Sequence, residues 1–211
     1  MAVQVLTRHP LPYLHGHQPS HRTVNLYQRL LGDAWHSLPD VLKRVHGTDA
    51  QAAASGEMDV TLGRFFGAGL VRWVLRMPRT EGREPVELYV RREGERERWE
   101  RRIGAWRFPT EQRAEDGLLI ERYGSLDFPM TVTSDTESLT HWSDRMLLRF
   151  LGRRWPVPRW LSVHTWGAER RSVSVPGAMD VSVRIEAPWG SLLVGYEGTL
   201  LPADRVARAR D

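Results

Sequence analysis

Apolar and polar side chains alternate along much of this chain, and the rhythm is clearest where one residue breaks it. In RERWERRI, residues 96–103, Trp99, Arg101 and Ile103 fall on one face of an extended chain, and Arg98, Glu100 and Arg102 on the other. The same period of two runs through Met58, Val60 and Leu62, through Val86, Leu88 and Val90, and through the C-terminal DVSVRIE and LLVGYEGTL. Each run predicts a strand, with Glu93-Gly94 and Pro188-Trp189-Gly190 as hairpin turns. Shorter strands are predicted over Ala105–Gln112, Leu118–Tyr123, Phe128–Thr133 and Ser162–Val175.

Elsewhere the period lengthens to that of a helix. Val24, Tyr27, Leu30 and Leu31 form a stripe that Gly32 ends. Ser37 then reads as an N-cap, with Leu38, Val41, Leu42 and Val45 on one face and Gly47 as the stop; the connector to Gly56 reads as a loop. Residues 64–78 predict a helix with Leu70, Trp73, Val74 and Met77 on one side and Pro78 as terminator, weakened at its start by Gly67 and Gly69. Ser134-x-x-Glu137 resembles a capping box before a mid-chain helix over 138–152, whose apolar face is Leu139, Trp142, Met146, Leu147 and Phe150. This order of elements predicts an α+β fold. Its antiparallel β-sheet, of about eight to ten strands, curls into a barrel or half-barrel, with the N-terminal helices and the one mid-chain helix packed on it.

Composition narrows the class. The 211 residues suit one domain, placed at 23–202 between an N-terminal tail (1–22, rich in Pro and His) and a basic tail (203–211). There is no cysteine for a disulfide or thiolate site, and no apolar run of membrane-spanning length. The first residues lack a signal-peptide pattern, which predicts a cytoplasmic protein. The net charge of +4 sits at the ends: residues 1–32 hold Arg8, Arg22 and Arg29 and no acid, and the last nine residues add +1. The body is therefore neutral, and no clustered cations point to a nucleic acid. His9, His15, His17 and His21 lack a carboxylate and a scaffold, so no metal site is predicted. A membrane surface for residues 138–155, with their arginines and aromatics, is disfavoured because that segment lies between strands.

Arg101 is then the residue to explain. A guanidinium on an apolar strand face needs a partner if it is buried. Glu121, on the face shared by Leu119 and Tyr123, fits best, and Glu169 is next. Three readings stay open: an ion pair that fixes register, a polar anchor in a ligand cavity, or a side chain in solvent. If a cavity exists, the period of two selects Trp99, Arg101, Glu121, Tyr123 and Tyr196 as its ligand-binding wall, with Glu169 as a weaker member. The nine tryptophans could line a pocket, but large aromatics more often fill a core, because each buries much area. No nucleophile elbow, H-E-x-x-H or P-loop is present, so no catalytic residue and no cofactor is assigned.

The order of LYQRLLGDAWHSLPDVLKRVHG, ASGEMDVTLGRFFGAGLVRWVLRMP, the W-x-R strand at Trp99 and Arg101, LLIERYG, LGRRWPVPRWL, the Glu169 region and APWGSLLVGYEGTL resembles the bacterial domain of unknown function family 4166, from Leu26 to about Pro202. Ile103 stands where the family pattern ends W-x-R-x-F on an aromatic. Such domains are often found behind a saccharopine-dehydrogenase-like NAD-binding domain, so the resemblance implies an oxidoreductase partner, and no reaction. The expected function is a non-catalytic binding module for a small apolar or amphipathic molecule inside the curled sheet. A cavity of about 300 Å³ or more lined by Trp and Tyr would favour binding over an interaction module. Convergent titratable groups at the cavity would favour an enzyme instead; a filled core with an exposed apolar patch would favour a structural interaction domain.

Overall fold

The computed structural model describes residues 24–47 and 50–203. The N-terminal tail, its four histidines and residues 204–211 of the basic tail lie outside the described residues.

Alternation produces strands throughout: β1 (Gln51–Leu62), β2 (Gly82–Glu93), β3 (Arg96–Ile103), β4 (Trp106–Glu115), β5 (Leu118–Tyr123), β6 (Leu126–Ser134), β7 (Ser138–Ser143), β8 (Leu147–Phe150), β9 (Arg153–Pro156), β10 (His164–Arg171), β11 (Met179–Glu186) and β12 (Leu192–Pro202). Neighbours pair antiparallel in the order β5-β4-β3-β2-β1-β12-β11-β10-β7-β6, and a β5–β6 pairing closes these ten strands into a barrel. Closure removes the open edges that a curled sheet would otherwise expose. The barrel with N-terminal helices is the architecture that the alternation predicts.

One seam of the ring is unusually tight. A Cβ on Gly56 would meet the Thr199 carbonyl oxygen at 2.0 Å, and one on Gly198 would meet that of Glu57 at 2.1 Å. The two glycines let the paired backbones of β1 and β12 approach closely. Gly56 thus lies inside a strand and does not end a loop: the connector expected before it is the first half of β1, with Ala52 to Ala54 paired to β2.

Three short helices, α1 (Leu26–Leu31), α2 (Ala34–Ser37) and α3 (Asp40–His46), plug one end of the barrel through buried Leu26, Tyr27, Leu42 and Val45. Asn25 caps α1 by accepting the Gln28 N–H at 2.7 Å. Ser37 closes α2, and Pro39 takes the N-cap position of α3. The other end is crossed by residues 63–81, which carry α4 (Ala68–Val74).

The mid-chain helix is replaced by β7, β8 and β9. Asp135 rather than Ser134 organises this entry to the segment, because its Oδ1 accepts the N–H groups of Glu137 (2.8 Å) and Ser138 (2.6 Å) in a turn that starts β7. The β8–β9 hairpin branches off β6 and is tied down electrostatically. Asp127, fully buried, pairs with Arg113 (3.0 Å), Arg122 (3.0 Å) and Arg154 of β9 (3.4 Å), and Arg154 also pairs with Glu115. The helix expected over 64–78 shrinks to α4, bounded by Gly67 at φ 84° and Arg76 at φ 51°. Of its expected apolar face only Met77 is buried; Leu70, Trp73 and Val74 face solvent. Among the described residues no helix is long and apolar enough to cross a membrane.

Candidate functional site

Inward positions on the closed ring converge on one interior cavity. Its wall is mainly apolar, with Met58, Leu88, Phe108, Phe128, Val183 and Ile185 among the contributors. A polar floor faces the helical plug. Arg101 lies between Leu88 of β2 and Phe108 of β4 in register. Its Nη1 donates to Glu121 Oε1 at 3.0 Å and to Thr110 Oγ1 at 2.9 Å. The guanidinium also stands 4.9 Å from the Trp99 ring centre, close enough for a cation–π contact. Glu121 Oε1 further accepts from Thr110 Oγ1 (2.7 Å) and Gln112 Nε2 (3.3 Å), and the plug enters the network where the Tyr27 hydroxyl donates to Gln112 Oε1 at 2.9 Å.

The side chains of Arg101 and Glu121 are 18 % and 10 % exposed, so the pair is largely out of water. Burial opposes ionisation of Glu121, but the Arg101 charge and the Thr110 and Gln112 hydrogen bonds outweigh it and hold the carboxyl below its usual range. The geometry therefore answers which acid faces Arg101. Glu169 is engaged elsewhere: His46 Nε2 contacts its Oε2 at 2.6 Å, bringing together residues from α3 and β10. Burial again opposes its charge, yet His46, His141 and Arg101 bring the Glu169 pKa down to about 2. The His46 ring packs 4.2 Å from Tyr27 and 5.1 Å from Trp99, centre to centre. Trp99 Nε1 donates to Glu97, buried on the same face of β3, whose pKa burial raises.

His141 of β7 completes the floor. A Cβ at its β10 partner Gly167 would fall 2.2 Å from His141 Nε2, so glycine at 167 makes room for the imidazole against the neighbouring strand. Burial lowers the His141 pKa in spite of the pull from Glu169 and Glu121, which keeps the ring neutral at pH 7. Its Nδ1 and the Thr165 Oγ1, both on cavity-wall residues, are buried without a hydrogen-bond partner. Burial also pushes the Tyr196 phenol up to about 12.

Trp99, Arg101, Glu121, Tyr123, Glu169 and Tyr196 all stand on the cavity wall. Thr110, Gln112 and Glu97 escaped the sequence reading although the period of two extends to them. His46 escaped because its partner lies 123 residues away; the one local signal is its position four residues after buried Leu42 on the inner face of α3. The cavity measures about 90 Å³. That volume is room for about six waters and falls short of the ~300 Å³ from which ligand pockets usually begin.

What closes the cavity is the 63–81 crossing. Arg72 Nη1 donates to the Gly63 and Leu193 carbonyls at 2.6 and 3.3 Å, and the Arg76 carbonyl accepts from Trp106 Nε1 at 2.8 Å and the Tyr123 hydroxyl at 3.4 Å. Leu193 on β12 and Tyr123 on β5 stand on opposite sides of the ring, so the segment spans the mouth. Leu75 and Met77 point into the cavity beneath it.

Fold and site together define a closed antiparallel barrel, plugged by helices at one end and lidded at the other, with a charged floor under an apolar interior. The chain belongs to the family described as a domain of unknown function (DUF4166), whose model matches residues 38–200. The match covers the barrel and α3 and begins after α1 and α2. No curated protein and no solved structure matches the chain.

Proposed function

We propose that the barrel binds a small amphipathic molecule, apolar part beneath the lid and polar end on the floor. The observation that carries this reading is the unpartnered buried His141 Nδ1, beside the charged floor of a cavity whose wall is mainly apolar; Thr165 Oγ1, nearer the lid end of β10, is a second unpartnered atom on that wall. Buried polar groups without partners are costly, and a ligand that reaches them relieves that cost. Arg101 is already committed to Glu121, and Glu169 adds a second carboxylate, so the floor suits a neutral, hydroxyl- or amide-bearing head better than an acid. The present 90 Å³ is too small for such a ligand. Binding therefore requires the lid to shift, and Met58, Met77, Met130 and Met179 on the wall to change rotamer, which unbranched thioethers do readily.

A second reading has its own observation: a neutral His141 beside Glu121 and Glu169 on a cavity wall is equipment for acid–base catalysis. The oxidoreductase partner, supported by the family resemblance, and a cytoplasmic location are further proposals.

Native mass spectrometry of the freshly purified full chain, followed by tryptophan-fluorescence titration with long-chain alcohols, fatty acids, isoprenoids and nicotinamide cofactors, tests binding. A bound mass is expected, and Val183→Phe, which fills the cavity, should abolish it. Absence of any bound mass together with fluorescence indifferent to every compound class would sink the proposal.

A further inference from the structure

The lid wears its apolar face outward. Phe66 is fully exposed, and Leu70, Trp73 and Val74 of α4 are 65 %, 60 % and 62 % exposed, while Leu75 and Met77 supply the lid's inner face. The patch continues past the helix. Phe65 packs edge-on against Trp189 at 5.4 Å, and Trp189, in the β11–β12 turn, lines a crevice with Trp160 of the short helical turn Arg159–Leu161. Both tryptophans are mostly exposed. All these groups lie at the end of the barrel away from the helical plug.

The charge of the same segment selects what covers this patch. Residues 63–80 contain Arg64, Arg72, Arg76 and Arg79 and no acidic residue. Arg64 is paired with Glu81, and Arg72 is bonded to carbonyls, whereas the side chains of Arg76 and Arg79 stand at the exposed edge of the lid. Arg159 adds another exposed cation beside Trp160, against one acid, Asp144, in the same crevice, so the exposed charge around the patch stays net positive. A second copy of this chain is a poor occupant, because a two-fold contact would set these arginines against themselves. The chain's own N-terminal segment is no better, since residues 1–23 carry Arg8 and Arg22 and no acid. The missing partner is both apolar and anionic. Outward tryptophan, phenylalanine and leucine ringed by arginine match the interfacial layer of an anionic bilayer.

We infer that the lid end of the barrel docks on an anionic lipid bilayer, with α4 lying in the interface and the cavity mouth held against the membrane. This docking face is distinct from residues 138–155, for which a membrane surface is disfavoured. The inference rests on the lid's outer face and not on what the cavity holds, so it stands or falls apart from the ligand proposal.

The test is flotation of the full chain with vesicles of neutral phosphatidylcholine, and with vesicles containing about 30 % phosphatidylglycerol, at low salt and at about 0.5 M salt. Binding is expected to the anionic vesicles, to weaken in high salt, and to bring Trp73 into quenching range of brominated acyl chains. Leu70→Ser/Trp73→Ser and Arg76→Ser/Arg79→Ser should each weaken binding about tenfold or more. Both pairs are at the surface, and an unchanged thermal melt confirms that each variant is folded. A protein that floats with neither vesicle overturns the inference. So does flotation indifferent to lipid charge and to both variants, or a dimer in light scattering that Leu70→Ser/Trp73→Ser converts to monomer.

Discussion

Arg101→Met leaves Glu121 in the barrel with its hydrogen bonds from Thr110 and Gln112 but without its cation. Methionine fills the space of the guanidinium's alkyl stem, so the loss is mainly electrostatic. Stranding one partner of a buried pair costs about 3–5 kcal/mol, and the remaining donors to Glu121 place the expectation at the lower end. Arg101→Ala removes the same charge and also opens a void beside Trp99 and Phe108. Large-to-small replacement in a core adds about 2 kcal/mol or more. Arg101→Met with Glu121→Gln removes both charges while a carbonyl oxygen remains to accept from Thr110 and Gln112. The double variant should return to within about 1 kcal/mol of the wild type, since swapping a buried ion pair for neutral groups of similar shape is often nearly neutral.

Urea unfolding followed by tryptophan emission measures all three. Acidification provides an independent check. Without Arg101, burial lifts the Glu121 carboxyl above its usual 4.5, and an acid whose folded pKa is raised regains stability as pH falls. Arg101→Met should therefore close part of its gap to the wild type as pH falls from about 7 toward the usual carboxylate range, and the double variant should not. If the single variant is as stable as the wild type, or the double variant no better than the single, the pair is not coupled as described.

Gly198→Ala would push a Cβ to 2.1 Å from the Glu57 carbonyl oxygen, which belongs to a paired strand and has no room to yield; a loss of about 3 kcal/mol or more in the same urea assay is expected. Glu169, with its pKa lowered from 4.5 to about 2, contributes stability that is present at neutral pH and is lost as pH falls through that window. The contribution is about 3 kcal/mol, so Glu169→Gln should be less stable than the wild type at pH 7 and lose less than it does on acidification.

How much of this was legible follows from which contacts were local in pattern. Arg101 and Glu121 sit on adjacent inward faces of β3 and β5, with β4 between them, and alternation alone places both inside. The His46–Glu169 contact joins a helix to a strand, and no periodicity in either element refers to the other. The lid shows a different limit. A hydrophobic stripe on Leu70, Trp73 and Val74 predicts an apolar face correctly but says nothing of whether that face meets the core or something outside the chain.

Residues 138–156 show why the same letters support two structures. Leu139, Trp142, Met146, Leu147 and Phe150 satisfy a helical spacing, yet in the barrel Leu139 and His141 point inward and Trp142 outward, as in any strand. The ring decides between them. Within it β7 lies between β6 and β10, and it pairs with both. A helix at this position would leave the facing edges of those two strands unpaired, and the barrel open beside His141. Those hydrogen bonds depend on strands before and after the segment, so the preference for β7 arises only when the circle closes. Short-range propensity and capping pull 138–152 toward a helix; closure of the sheet overrides them, and it puts the neutral imidazole of His141 onto the cavity wall.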